Sequence, residues 1–430
     1  MDFLLKDAEE YLEKQATLKG WAGNVRSSGK IYFIQFRDGT GRCQAVVDQK
    51  VVDEQSWADT GKLTIESSLI ITGVLKADTR SPSGLEMQVE KLHAVQIADE
   101  YPIGKKEHGP DFLLDERHLW LRSESQWAIQ RVRNTTINAI YKYLNDNGFV
   151  KFDSPILTPN ACEGTTTLFE VPYFDEGAAY LSQSGQLYLE AGIMSLGRCF
   201  DFGPVFRAEK SKTRRHLTEF WMMDAEAAYV EHDENLKIQE ELIRFVIREV
   251  LAKNESELKI LERDTAKLKA ADAPFKKMTH AEAVKYLQAH GSDIKDGEDL
   301  GGDDETILTA ESDVPIFIEK WPKEIKAFYM KPDATDPSVV LCADLMASEG
   351  FGEIIGGSQR EDDYEALKKR MEQEKLPVLD YQWYLDLRKY GSVPHSGFGI
   401  GLERLVGWLC GTHHIRETIP FPRLINRIKP

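Results

Sequence analysis

Phe206–Phe220, FRAEKSKTRRHLTEF, and Gly397–Leu405, GFGIGLERL, decide how the rest of the chain is read. In the first stretch Arg207 and Glu209 stand two apart in a strand-like run and so share one face, while the basic run from Lys210 to Arg215 fills a loop. Cations held beside an anchored arginine suit chemistry that displaces pyrophosphate, where negative charge builds on an α-phosphate, and Phe220 offers a plate for a purine. A solvated basic turn beside a core phenylalanine is the competing reading. In the second stretch the glycines permit close approach of backbone or ligand, and Arg404 follows at the start of a helix. A third stretch, GEIIGGSQRE, sets Glu353 and Arg360 about its glycines, with Asp344 nine residues before Glu353. That carboxylate pair can hold magnesium against nucleotide phosphates, or each member can be structural.

Outward from these stretches the pattern changes twice. From Thr17 to Ile97 short strands are broken by turn signals (LKGWAGNVR, IYFIQFRDGTG, RCQAVV, SLIITGVLKA, LEMQVEKLHAVQI). Five strands in some eighty residues predict a small all-β barrel over residues 1–100, of OB or SH3-like type. Residues 101–115, rich in Pro, Gly and charge, read as a hinge. Helical spacing then runs through SESQWAIQRVRNTTINAIYKYLNDNG to a stop at Asn147-Gly148. The remainder mixes strand-like and helical runs, which predicts an α+β domain over 116–430, an antiparallel sheet flanked by helices. A charged stretch low in aromatics, 254–304, reads as a peripheral helical insertion.

With 430 residues, 42% hydrophobic and 29% charged, the chain has the composition of a globular protein of two or three cored domains. No run reaches bilayer-spanning length, and the charged start MDFLLKDAEEYLEK has no apolar signal region, so a cytoplasmic protein without membrane contact is expected. Five scattered cysteines give neither a disulfide framework nor a zinc pattern. A net charge of −17 means that any nucleic acid must meet Lys and Arg gathered on one face.

Together the three stretches resemble motifs 2 and 3 of class II aminoacyl-tRNA synthetases and the strand between them, and FVKFDSPILTP resembles motif 1. A barrel followed by this catalytic domain resembles the aspartyl, asparaginyl and lysyl subgroup, so the barrel is expected to be an OB-fold that binds the anticodon. The resemblance covers nearly the whole chain and implies a homodimer with Pro155 at its interface. It implies that Arg207 holds the α-phosphate and the carboxylate oxygen, Glu209 and Phe220 the adenine, Arg215 and His216 the distal phosphates, and that Arg404 completes the ATP clamp. Asp344 and Glu353 become the Mg2+ ligands, because Gly356 stands where aspartyl enzymes often carry a metal-binding serine. Catalysis would be positioning and charge neutralisation, with no protein nucleophile. His395 is expected to order the glycine stretch.

The resemblance also bears on the amino acid. Glu163 in ACEGTTTLF matches the carboxylate that receives the ammonium, Gln186 in QSGQLYLE a glutamine beside it, and Arg360 the arginine that grips the side chain. Aspartyl enzymes carry a lysine three residues after that glutamine; here Leu189 stands there, and it can be a core leucine as well. A neutral amide needs no second cation, so L-asparagine is favoured, with Asp224 able to accept its NH2. In the barrel Arg26, Phe33 and Gln44 fall where the subgroup grips the anticodon, by stacking on Phe33 and reading a base edge with Gln44. The expectation is thus ATP-driven activation of asparagine and its transfer to tRNA(Asn). An aspartyl enzyme, an amide ligase that makes free asparagine and a catalytically silent RNA-binding module are the competitors.

Overall fold

The computed structural model describes residues 3–81, 83–104, 106–162, 168–211, 213–412 and 414–430. The chain divides into two units, 1–109 and 110–430, each with its own core.

In the first unit β1 (Gln15–Ser28), β2 (Ile31–Arg37), β3 (Arg42–Asp48), β4 (Ser68–Ala77) and β5 (Leu85–Gln96) close into a barrel in the order β1-β2-β3-β5-β4. Period-2 alternation drives the closure. Ile34 and Phe36 of β2, Cys43, Ala45 and Val47 of β3, and Leu69 and Ile71 of β4 are buried, while the residues between them are more exposed. Helix α1 (Glu54–Thr60) joins β3 to β4, its first turn capped by Asp53 Oδ1, which accepts from Ser56 N at 2.7 Å. Five strands closed in this order form an OB-fold rather than an SH3-like barrel.

The second unit begins inside the stretch expected to be a hinge. Residues 110–115 are helical instead, because α2 (Pro110–Asp115) starts on a proline, whose missing N–H costs nothing at a first helical position. After α3 (Arg117–Trp120), Ser123 caps α4 (Glu124–Asp146), which stops before Asn147-Gly148 as expected. Short strands β6 (Val150–Lys151), β7 (Leu157–Thr158), β8 (Glu170–Pro172) and β9 (Ala178–Leu181) precede α5 (Gln186–Leu196). The central hairpin, β10 (Arg198–Phe206) and β11 (Glu219–Ala228), leads to α6 (His232–Lys253). Residues 254–304 hold α7 (Glu255–Ile260), α8 (Thr265–Ala270) and α9 (His280–Ala289), but also β12 (Lys276–Thr279), which joins the sheet. Then come α10 (Gly302–Thr309), β13 (Ile316–Pro322), β14 (Val339–Ala347), β15 (Gly352–Gln359), α11 (Tyr364–Gln373), α12 (Gln382–Lys389), β16 (His395–Gly401) and α13 (Leu402–Cys410).

Eight strands form one sheet, ordered β12-β13-β14-β15-β16-β11-β10-β6. Its six inner strands pair antiparallel, but both edge pairs run parallel, β12 with β13 and β6 with β10. Long connections, each containing at least one helix, separate the members of each edge pair, which is what parallel pairing requires. Alternation again sorts the faces. Met223, Ala225, Phe398, Ile400, Leu345 and Ile355 join Val132, Ile140, Leu242, Val246 and Leu405 from the helices in one buried core. Their neighbours along the strands turn to the opposite face, where the cavity lies. All five cysteines are buried free thiols, and among the described residues no helix is long and apolar enough to cross a membrane.

Candidate active site

Strand register builds the cavity floor. Asp344 pairs with Gly356, Gly356 with Gly399, and Gly399 with Asp224, so four strands contribute one row. Ser358, Gly397 and Glu226 form the next row. Opposed residues in antiparallel strands share a face, which sets three glycines among four polar side chains. Two of the glycines leave no room for a side chain: a Cβ on Gly397 would lie 2.0 Å from Glu226 Oε1, and one on Gly399 2.6 Å from Asp224 Oδ1. Above the floor is a cavity of about 320 Å³.

At one end stand the cations expected to hold phosphates. Strand β10 stops at Phe206, so Arg207 and Glu209 lie in the loop rather than on a strand, although Arg207 N still donates to Thr218 O at 3.0 Å. Both line the cavity. The Arg207 guanidinium sits 5.4 Å from the centre of the Phe220 ring, and its buried Nε has no hydrogen-bond partner. A buried donor left unmade is costly, so a ligand acceptor is the natural complement. Glu209 Oε2 lies 3.4 Å from His216 Nε2, and burial together with the Arg404 charge lowers the His216 pKa. Arg404, in the first turn of α13, donates from Nη1 to Glu353 Oε2 at 2.8 Å.

Arg215, expected to face the distal phosphates, has its guanidinium engaged within the protein. It donates to Glu305 Oε2 at 2.6 Å, Gly302 O at 2.8 Å, Thr306 Oγ1 at 2.8 Å and Gly350 O at 2.7 Å. Its guanidinium thereby ties α10 and the turn before β15 to the cavity rim. Residues from the stretch expected to be peripheral, Asp299 and Leu300, also line the cavity.

The two carboxylates expected to hold metal converge. Lys326 Nζ donates to Asp344 Oδ2 at 2.7 Å and Arg404 takes Glu353 Oε2. The remaining oxygens, Asp344 Oδ1 and Glu353 Oε1, both come within 3.5 Å of the point where a side chain on Gly356 would begin. Burial, reinforced by the Glu353 charge, pushes Asp344 up to about 7 against the pull of Lys326. Burial opposes ionisation of Glu353 too, but Arg404 and Lys326 hold it below the usual carboxylate range.

At the other end Ser184, Gln186, Asp224 and Arg360 line the cavity. Asp224 Oδ2 accepts from Ser184 Oγ at 3.0 Å and Gly185 N at 2.8 Å. Arg360, 3% exposed, donates from Nε to Glu226 Oε1 at 3.1 Å and from Nη1 to Ser358 Oγ at 2.6 Å. Burial raises Glu226 to about 7 despite Arg360, with the Glu190 charge adding to the rise. Leu189 is not among the residues that line the cavity. It is fully buried with Ile193 and Cys199, so it packs as a core leucine rather than touching the cavity. Glu163 lies outside the described residues. His395 orders the start of β16 as expected, with Nδ1 2.8 Å from Val393 O and Nε2 3.0 Å from Glu190 Oε2.

Ser184, Glu226, Glu305 and Lys326 are among the polar groups at the site that sequence reasoning missed. Ser184 and Glu226 carried a signal, because Ser184 lies inside QSGQ and Glu226 lies two residues from Asp224 on the same strand. Glu305 and Lys326 carried none.

On the barrel, Arg26 pairs with Phe33 and Gln35 with Gln44 across β1, β2 and β3, so Arg26, Phe33 and Gln44 share the outer face. Phe33 is half-buried there and stays out of the barrel core. Gln44 Nε2 donates to Glu86 Oε2 at 3.3 Å, and Trp21, with the Arg37 guanidinium 5.0 Å from its ring centre, extends the same face. Pro155 is exposed beside the exposed Ile156 and Leu157.

A glycine-floored antiparallel sheet with this set of arginines and carboxylates defines a class. The family described as tRNA synthetases class II (D, K and N) matches residues 109–425, and the OB-fold nucleic acid binding domain matches 16–95. The chain belongs to the class II tRNA synthetases of that D, K and N group. Within it, the asparagine–tRNA ligase of Symbiobacterium thermophilum is 54% identical over 427 residues, 98% of each chain, and that of Pelotomaculum thermopropionicum is 52% identical over 99% of each. The crystal structure of asparaginyl-tRNA synthetase from Pyrococcus horikoshii complexed with asparaginyl-adenylate superposes over the whole of both chains with a TM-score of 0.96 at 45% identity.

Proposed function

We propose that the protein is an asparagine–tRNA ligase. An α-carboxylate oxygen of L-asparagine attacks the α-phosphorus of ATP, the bond to the bridging oxygen breaks, and pyrophosphate leaves; the terminal ribose hydroxyl of tRNA(Asn) then attacks the activated carbonyl and releases AMP. The observation that carries the choice of asparagine is that Arg360 is already matched by Glu226, with Asp224 a further carboxylate at the same end. Such a pocket suits a neutral amide better than a second anion. The 52–54% identical relatives named asparagine–tRNA ligase support the same reading. Amino-acid-dependent ATP–pyrophosphate exchange tests it: faster exchange with asparagine is expected, and faster exchange with aspartate overturns it.

In this reading Arg207 and Arg404 neutralise the charge that builds on the α-phosphate, Phe220 and Glu209 hold the adenine, and His216 with Arg215 faces the distal phosphates. Gln186 and Glu163 take the substrate ammonium, Asp224 and Arg360 its side chain. Asp344 and Glu353 would hold Mg2+ through the two oxygens turned over Gly356. When bound, the ion adds positive charge against the phosphates, as hard oxygen ligands favour. A requirement for added Mg2+ that did not change in Asp344→Asn would remove that residue from the role. Arg26, Phe33 and Gln44 grip the anticodon. A homodimer is supported by the exposed apolar Ile156 and Leu157 that follow Pro155, and a monomer in sedimentation at micromolar concentration would refute it. A cytoplasmic protein is the reading that fits a tRNA substrate, and recovery of the native protein with membranes on cell fractionation would refute it.

A further inference from the structure

Behind the amino-acid end lies a buried polar cluster whose central carboxylate none of the roles above uses. At its centre is Glu190 of α5, fully buried. Its Oε1 accepts from Gln186 Nε2 at 3.1 Å and Tyr384 OH at 2.7 Å; its Oε2 meets Arg388 Nη2 at 2.5 Å and His395 Nε2 at 3.0 Å. Arg388 is fully buried as well and has no other acidic partner among the described residues. Burial opposes the charge on Glu190, but Arg388 and His395 outweigh it and keep the carboxyl ionised. So many donors on one buried carboxylate exceed what helix packing alone demands, and one of them, Gln186, lines the cavity.

We infer that Glu190 is a positioning residue that also sets amino-acid specificity: it holds the Gln186 amide in place, and by cancelling the charge of Arg388 it keeps the pocket from drawing in an acidic side chain. Inside the protein a unit charge is poorly screened, so an uncompensated Arg388 acts on whatever occupies the pocket in front of Gln186 and Arg360. An aspartate side chain gains from that field and an asparagine amide does not. The inference rests on the amino-acid pocket proposed above.

Pyrophosphate exchange with asparagine and aspartate, run on the full-length enzyme, tests it. Glu190→Gln keeps the shape and one acceptor but removes the charge. It is expected to lower the ratio of kcat/KM for asparagine over aspartate roughly tenfold or more, chiefly through a smaller KM for aspartate. Glu190→Asp, which keeps the charge, should stay near the wild-type ratio. Arg388→Gln should move the ratio the other way. Equal losses with both amino acids in Glu190→Gln, at an unchanged ratio, would make the residue merely structural and overturn the inference. If that variant melts below the assay temperature, Arg388→Gln decides alone, and an unchanged or lower ratio overturns the inference. Wild-type enzyme that prefers aspartate would instead overturn the proposed function, whatever the variants do.

Discussion

Arg404 stands in the first turn of α13 with one guanidinium nitrogen on Glu353. Loss of a positioned cation at a transition state costs about 3 to 4 kcal/mol. Arg404→Ala should lower kcat/KM for pyrophosphate exchange accordingly while the melting temperature stays close to wild type, and near-normal exchange would refute the role. A second residue speaks to stability. His414 Nδ1 accepts from Arg416 N at 3.3 Å, and burial, then the Arg416 and Arg214 charges, lower its pKa from 6.5 to about 4. The unfolded chain binds that proton near 6.5 and the folded one resists it, so the contribution is intact above pH 6.5 and is lost as pH falls toward 4. His414→Gln should therefore flatten the fall in urea midpoint between those two values; an unchanged slope would count against it. At this scale the chemistry was legible wherever it demanded a residue type in a marked stretch: Arg207, Glu209, Phe220, Asp224, Glu353, Arg360 and Arg404 all line one cavity. Lys326 and Glu305 were not, because they reach the cavity from separate segments and only tertiary register brings them there.

Strand β16 shows how an element constrains itself. Gly397 meets Glu226 Oε1 at 2.0 Å and Ala225 O at 2.4 Å from its would-be Cβ, and Glu226 cannot swing away without leaving Arg360 unpaired. Gly397→Ala should destabilise the protein by about 3 kcal/mol or more, as overpacking in a close-packed sheet does; a urea midpoint within error of wild type would refute this. In the barrel, β2 and β3 turn Phe33 and Gln44 outward. Gln44→Ala should raise KM for tRNA several-fold and leave pyrophosphate exchange untouched, and a parallel loss of both would sink that division of labour. Element types were legible from alternation and helix signals; their phases were not. At about 100° per residue, Gln186 and Glu190 lie some 40° apart on α5, while Leu189 falls about 60° to the other side, toward Cys199. The end of β10 one residue before Arg207 was equally beyond a spacing argument.

Over the whole molecule, the barrel and the sheet domain each close a core of their own, and their order along the chain was plain from the change in pattern at about residue 100. What composition hid was how much the charged stretch before Asp304 contributes, since polarity alone does not distinguish a solvated helix from one whose Asp299 borders a cavity. The buried thiols carry a last consequence. Cys43 belongs to the barrel and Cys162, Cys199, Cys342 and Cys410 to the larger unit, and burial drives the Cys199 and Cys342 pKa values up to about 12. Native protein should therefore be inert to a thiol reagent, and each modification then marks an opening event. The chain holds its own stopwatch: in mild denaturant, mass spectrometry should find one added label when the barrel opens alone and four when the other unit does, which times the two independently without any engineered probe. A smooth progression through all five labels would mean that the two units open together.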